Sequence, residues 1–158
     1  MARASKRDHI VAEATGLFLN QGFKGTSIDL VVSTCAVSKP TVYNHFPDKT
    51  VLMAAVIDDW LAHRALTPHE LKPGTDILEH LQANWWTPDH MAMYRLVIAE
   101  GWRFADAAHR FWADFHQPWQ NAAEDWLQTL QGHSTSEAKQ CLEAALWQRL
   151  MALSKSNL

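Results

Sequence analysis

Between residues 26 and 49 the chain concentrates side chains that can bond to phosphates and to base edges: TSIDLVVSTCAVSKPTVYNHFPDK. Ser38, Lys39, Thr41, Tyr43, Asn44 and His45 fall within eight residues. A lysine reaches a phosphate or a guanine edge, a threonine offers a hydroxyl or a methyl to a base, and tyrosine and histidine can straddle a backbone. A second candidate is Asp106 with His109, at the Asp-x-x-His spacing of a carboxylate-bridged metal helix, with His116 two turns on. A di-metal bundle needs a second such motif and carboxylates on two other helices. The sequence has no second copy, and a zinc site would want a tighter His or Cys cluster. The nine histidines therefore read as surface or capping residues, and neither metal nor cofactor is expected. No nucleophile–base–orienter set stands out.

The first constellation needs two short helices to hold it. Thr26 can cap one, and Ser38 can cap the next through its hydroxyl. Pro40 falls in the first turn of the second helix, where a missing N–H costs little. Ala36 and Val37 make the turn between them. Val31, Val32, Val37, Val42 and Phe46 supply the apolar side. A preceding helix over about Ser5 to Asn20 repeats Ile10, Ala14, Leu17 and Phe18 at helical spacing, and Gly22 stops it. Arg3, Lys6 and Arg7 open that helix and suit either phosphates or plain solvent. After Pro47, Asp48 caps a fourth helix running to about Ala65, with Leu52, Ala55, Val56 and Trp60 inward.

In these residues the chain resembles the TetR family of bacterial transcriptional repressors. The matching features are Phe18 with Gly22, Thr26, the run Tyr43-Asn44-His45-Phe46, and Asp48-Lys49, in the family's order and spacing over about residues 6 to 57. Val31-Val32 replaces the usual Ile-Ala, Cys35-Ala36 the usual Ala-Gly of the turn, and Pro40 a common Gly. Gly tolerates positive φ and Ala does not, so the sequence leaves the turn's conformation open. The resemblance assigns Lys39, Thr41 and Pro40 to base edges, and Thr26, Tyr43, His45 and Lys49 to phosphates. Lys49, at the start of the fourth helix, combines its own charge with the helix dipole. Ser38 caps and faces outward. For His45 the plainer alternative is packing beside Phe46.

Composition agrees without deciding. Residues 1–49 hold six basic and four acidic side chains, so a slightly basic head leads an acidic remainder in a chain of net charge −3. That polarity fits DNA contact at one end. Cys35 and Cys141 form no Cys-x-x-Cys pair, which points to a reducing compartment. The start, MARASKRDHI, leads straight into an amphipathic helix with no apolar signal region, and no run approaches a membrane span. A cytoplasmic, all-α protein is expected. It should have a helix-turn-helix domain at 1–49, with helix four, about 48–65, as connector, and a helical effector-binding and dimerisation domain at 50–158.

The later helices read as about 75–85, 88–100, 104–115, 118–131 and 135–153. Leu78 and Ile98 are expected to face inward. Gly101 and Gly132 act as breaks, and Ser134 with Glu137 forms a capping box. The run 95–100 with Arg103-Phe104 resembles the body of one TetR subgroup. In this family the body holds a pocket for a small-molecule inducer. The resemblance with the aromatic content suggests Trp85, Trp86, Met91, Tyr94, Trp102, Phe104, Trp112 and Phe115 as lining, with Glu100 for a cation. Such faces suit aromatic, apolar or cationic ligands, and equally an ordinary core. Helices eight and nine could pair with a second copy as a four-helix bundle, using Trp119, Trp126, Leu142, Leu146 and Trp147. The body is shorter than is usual in the family, which leaves open whether a final helix is missing.

The expectation is therefore a homodimeric repressor that binds a palindromic double-stranded DNA operator and is released by a small-molecule effector. Two other classes remain open: a helix-turn-helix protein-interaction module without DNA reading, and a small helical metal-binding protein or enzyme.

Overall fold

The computed structural model describes residues 5–63, 68 and 70–154. Arg3, the expected last turn of the fourth helix at Arg64 and Ala65, and Thr67 lie outside them. Among the described residues every regular element is helical: α1 (Lys6–Gly25), α2 (Ile28–Cys35), α3 (Lys39–His45), α4 (Lys49–His63), α5 (Ile77–Asn84), α6 (Pro88–Glu100), a 3-10 turn at Gly101–Arg103, α7 (Ala105–Arg110), a π-helical stretch at Phe111–His116, α8 (Gln117–Gln131) and α9 (Thr135–Ser154). None of these helices is long and apolar enough to cross a membrane.

Local chemistry sets most boundaries. Ser5 and Asp8 close a capping box on α1, and Asp48 accepts the Thr50 and Val51 amides at 2.7 and 2.9 Å to start α4. Gly22 breaks α1 at φ 72°, after which a short turn carries Phe23. Asp76 caps α5, one residue after the expected start. Gly132, at φ 73°, ends α8: its own amide bonds to Gln128 and that of His133 to Leu127. The Ser134–Glu137 box opens α9 as the spacing predicts.

One boundary differs from expectation. The break expected between residues 115 and 118 is absent, and α7 runs through the π-helical stretch into α8. Pro118 has no N–H to give the residue four back and its ring crowds that carbonyl; a wider turn just before it relieves both faults without ending the helix.

The chain forms two compact units. The first comprises Met1–Ala65 and Leu96–Phe111. α1 packs on α2, α3 and α4 around Ile10, Ala14, Phe18, Val31, Val42 and Leu52, all with no exposed surface. α4 packs in turn on α7, with the Trp60 and Phe111 rings 5.8 Å apart. Three further ties join the head to the segment 96–111. Phe23 lies 5.8 Å from Phe104, Lys24 pairs with Glu100 at 3.4 Å, and Arg110 grips Asp58 through two bonds of 2.8 and 3.0 Å. Within that segment Gly101 lets the 3-10 turn lie against α7, since a Cβ would lie 3.1 Å from that of Ala108. Ile98 is exposed, contrary to expectation.

The second unit comprises Leu66–Arg95 and Trp112–Leu158. α8 packs against α5 and α9. Its centre is aromatic: Trp85 stacks on Trp119 at 5.9 Å, and Trp119 meets the edge of Trp126 at 6.3 Å. Leu78, expected inward, is exposed at the start of α5.

Candidate nucleic-acid interface

The recognition segment is built from two capped helices and a strained turn. Ser27, not Thr26, caps α2, accepting the Leu30 amide at 3.1 Å. Thr26 and Ser27 are both good capping types, and sequence alone does not choose between neighbours. Ala36 closes α2 in the left-handed region, φ 52° and ψ 39°. It is the non-glycine residue with positive φ among those described. Its amide and that of Val37 still find the carbonyls of Ser33 and Val32 at 3.4 and 3.3 Å. Ser38 then caps α3, accepting the Thr41 amide at 3.3 Å and meeting the Thr41 hydroxyl at 2.7 Å. Val42 and Phe46 are sealed beneath.

This leaves Ser38, Lys39, Pro40, Tyr43, Asn44 and His45 exposed, with Thr41 half-buried. The Tyr43 ring keeps 42 % of its residue surface open. His45 lies on the surface rather than in the core, its ring 6.2 Å from Phe46. Lys39 carries a feature the sequence does not announce: its ammonium is 2.7 Å from the carboxylate of Asp29, in the first turn of α2. That hydrogen bond raises the Lys39 pKa.

Two candidates take other roles. Thr26 is wholly buried and its hydroxyl donates to the Gly22 carbonyl at 2.9 Å, so it seals the end of α1 and cannot meet a phosphate. Lys49 is half-buried. Its ammonium donates to the carbonyls of Phe23 and Thr26 at 2.7 and 2.9 Å and sits 4.3 Å from the centre of the Phe23 ring. Those are carbonyls left over where α1 ends, which a cation satisfies well. Burial, and next the charge of Arg103, push the Lys49 pKa down. Lys49 is thus a staple inside the head rather than a free phosphate ligand. Arg7, left between phosphate and solvent by the sequence, lies over the Phe46 ring at 5.3 Å.

Residues 10–56 match the family described as bacterial regulatory proteins, tetR family, and residues 75–158 match the AefR-like transcriptional repressor C-terminal domain. The second match alone covers more than half the chain. The chain belongs to the TetR family. Its head is the helix-turn-helix of that family of bacterial regulatory proteins, as the head residues suggest. Among curated relatives it is similar to the HTH-type transcriptional repressor DhaR of Mycobacterium sp. (strain GP1), 31% identical over 62 residues, or 39% of this chain and 31% of DhaR. The matched stretch is thus about a third of that relative's length. Among solved structures it resembles a protein described as a TetR-family regulator from Mesorhizobium loti (TM-score 0.61, 18% identity, 93% of this chain and 96% of that one). Salmonella enterica GusR gives TM-score 0.61 at 22% identity over 94% and 82% of the chains. The flavonoid-responsive regulator FrrA gives 0.54 at 24% over 97% and 95%. At these identities the likeness is one of fold.

The body candidates of this TetR-family chain fall in both units. Trp85, Trp86, Met91, Tyr94 and Phe115 are buried in the second unit, and Trp112 is half-buried. Trp85 Nε1 donates to the Tyr94 hydroxyl at 3.0 Å, and that hydroxyl is hydrogen-bonded to His116 Nδ1 at 2.8 Å. Burial lowers the His116 pKa. The Trp112 and His116 rings meet edge to face at 4.9 Å. These rings pack on one another as core. The other three candidates belong to the first unit. Phe104 packs on Phe23, and Glu100 pairs with Lys24 and with Arg103 at 2.7 Å instead of awaiting a cation. Trp102 is 71% exposed with the Arg103 guanidinium 4.1 Å from its ring centre, so it lines no enclosed pocket.

Of the interface candidates, Trp119, Trp126 and Leu142 are buried within their own unit, because the apolar stripes of α8 and α9 face each other. Leu146 is half-buried, and Trp147 keeps 54% exposed, one turn from Met151 at 59%. Missed by the sequence is a cleft of about 480 Å³ in the second unit, where Asp76 and Leu78 face Leu127, Leu130 and Cys141. The exposure of Leu78 is its one signal, and the helical stripe in the sequence hid it.

Proposed function

We propose that this regulator is a repressor acting as a homodimer on a double-stranded DNA operator with two inverted half-sites, and that a small-molecule effector releases it. The observation that carries the reading is α3: a capped helix with Lys39, Pro40, Tyr43 and His45 exposed along it and Val42 and Phe46 anchoring it. Ser38, Lys39, Pro40 and Thr41 meet base edges or the nearest sugar-phosphates, and Tyr43 and His45 take flanking phosphates. The second copy docks on α9 through Trp147 and Met151, large apolar groups four residues apart on one helix face. The effector enters the cleft beside Leu78, whose volume is in the range of small-molecule sites. Its leucines and the Asp76 carboxylate favour an apolar or cationic compound. The work of such a regulator is in the cytoplasm, where its operator is.

Selection of bound sequences from random duplex DNA tests this reading. The expected outcome is an enriched palindrome with half-sites about one helical turn apart, roughly 34–36 Å, bound by a dimer in sedimentation. A pool with no enriched sequence, or binding that ignores salt, would replace it with the protein-interaction reading.

A further inference from the structure

A groove of about 370 Å³ lies between the first turns of α4 and the segment 103–110, wholly inside the first unit. Val51, Ala54, Phe104 and Ala107 give it an apolar lining, and Arg103, Asp106 and Arg110 add charge. The two arginines are not alike. Arg110 gives Nε and Nη2 to the Asp58 carboxylate, so that fork is engaged. Arg103 gives Nε to Glu100 Oε2 at 2.7 Å, and the other Glu100 oxygen is 3.4 Å from Lys24 Nζ. Among the described residues, Nη1 and Nη2 of Arg103 have no hydrogen-bond partner. Its guanidinium carbon lies 4.1 Å from the Trp102 ring centre and 5.7 Å from that of Phe23. One carboxylate and two rings thus fix an arginine whose outer edge is unused. We infer that this groove binds a small organic monoanion with an apolar body, its carboxylate held end-on by Arg103.

With Nε engaged, a guanidinium still offers two parallel N–H bonds from Nη1 and Nη2, which match the two oxygens of a carboxylate. Glu100 and Trp102 already order the side chain, so the ligand has less ordering left to impose. The local field is positive: the Lys49 pKa is lowered first by burial and next by the charge of Arg103, and Glu100 opposes less. Apolar lining of this volume suits a ring or short alkyl chain rather than a hydrated inorganic ion. Asp106 in the same lining repels a second negative charge on the ligand. A duplex phosphate could take the same edge of Arg103, but it has no use for an apolar groove behind it. The cleft beside Leu78 differs, since its lining holds the Asp76 carboxylate and no cation, so the two sites select opposite charges. The groove is a further site, independent of that cleft. Its occupant touches α4 and α7 at once and favours the arrangement of these two helices described above.

The test titrates the full chain by calorimetry with phenylbutyrate and with its uncharged primary amide. The acid should bind in the low-millimolar range, as a ligand of that size does, and the amide about tenfold more weakly. Arg103→Gln should abolish the preference for the acid. Val51 is 42% exposed, so Val51→Glu leaves the core and Arg103 in place while setting a like charge in the groove; it should weaken the acid more than the amide. It decides the matter if Arg103→Gln, having lost the Glu100 pair, fails to fold by circular dichroism. Leu130→Trp, which fills the cleft of the second unit, should change neither affinity. Failure of the acid to bind, equal binding of acid and amide, or a preference that survives Val51→Glu would overturn the inference. So would a preference lost in Leu130→Trp, which would place the ligand in the second unit. An Arg103→Gln protein that binds the acid normally, yet has a salt slope for DNA shallower by about 0.9, would overturn it in favour of a duplex phosphate on Arg103.

Discussion

Replacing Lys49 by Met distinguishes a staple from a phosphate contact. Methionine keeps most of the aliphatic stem over Phe23 and removes the ammonium. Two charge-assisted bonds, to Phe23 and Thr26 at 2.7 and 2.9 Å, disappear, and so does the cation over the Phe23 ring at 4.3 Å. A hydrogen bond to a charged group contributes about 1.5–3 kcal/mol, and a partly exposed cation–π contact about 0.5–1. Lys49 is only half-buried, so water can reach part of what is left, and the lower end of each range applies. Those lower ends give an expected loss of about 3.5 kcal/mol. For a domain of about this length each kcal/mol moves the midpoint by about 2–4 °C, so thermal unfolding should fall by about 7–14 °C. The salt slope of DNA binding by the folded variant should be unchanged, because no phosphate has lost a partner. A phosphate contact predicts the reverse: full stability and a slope shallower by about 0.9. Unchanged melting with a shallower slope would refute the assignment of Lys49 drawn from the structure.

Other perturbations read other parts of the molecule. Ala36→Gly should raise stability in urea by about 0.5–1 kcal/mol, since a left-handed alanine costs about 1–2 and the freer unfolded glycine returns about 0.4–1; a loss would show that the turn is not held at φ 52°. His116 has a folded pKa below its ordinary 6.5, so the unfolded chain binds the extra proton first and stability falls as pH drops below about 6.5. His116→Gln should remove up to about 1.4 kcal/mol per pH unit from that slope, and identical slopes in the two proteins would count against the neutral, Tyr94-bonded imidazole. Trp147→Glu should give folded monomers by sedimentation, whereas Trp126→Glu, a charge set into the core, should unfold the chain; a dimeric Trp147→Glu protein would move the interface elsewhere.

Much of this fold is legible because helical periodicity and capping chemistry are local. The Ser38 cap, Pro40 in the first turn, Asp48 before α4, Gly132 after α8 and the Ser134–Glu137 box follow from single residues and their spacing. Side-chain direction is less legible. The stripe through Trp119 and Trp126 says which face of α8 is apolar and not what that face meets, and here it meets its own unit. Thr26 and Lys49 illustrate a different limit. Both match the family's pattern, but the end of α1 at Gly22 leaves carbonyls that need donors, and these two side chains are within reach. Asp29 escapes for the same reason: its partner lies ten residues on, across a turn whose conformation the sequence leaves open.

The ties inside the first unit set a scale for the proposed release from DNA. A hundredfold loss of operator affinity needs about 2.7 kcal/mol of differential binding by an effector. The head meets the segment 96–111 through Phe23 with Phe104, Arg103 over the Phe23 ring and the Lys24–Glu100 ion pair; α4 adds Trp60 against Phe111 and the Asp58–Arg110 fork. Contacts of these kinds contribute about 0.5–1.5 and 0.2–1 kcal/mol each. Together they are comparable to what release requires. A shift of α7 that kept them all would carry the head with it; a shift that broke them all would cost about as much as the effector must supply. The first path is therefore the cheaper, and it makes α4 and the head move as one body with α7. Linkage then requires that operator DNA weaken the effector by the same hundredfold. Quenching of tryptophan fluorescence, with the eight Trp as the signal, measures that affinity with and without operator. A compound that binds the second unit with the same affinity in the presence and absence of operator cannot release it, and would refute the proposed coupling for that site.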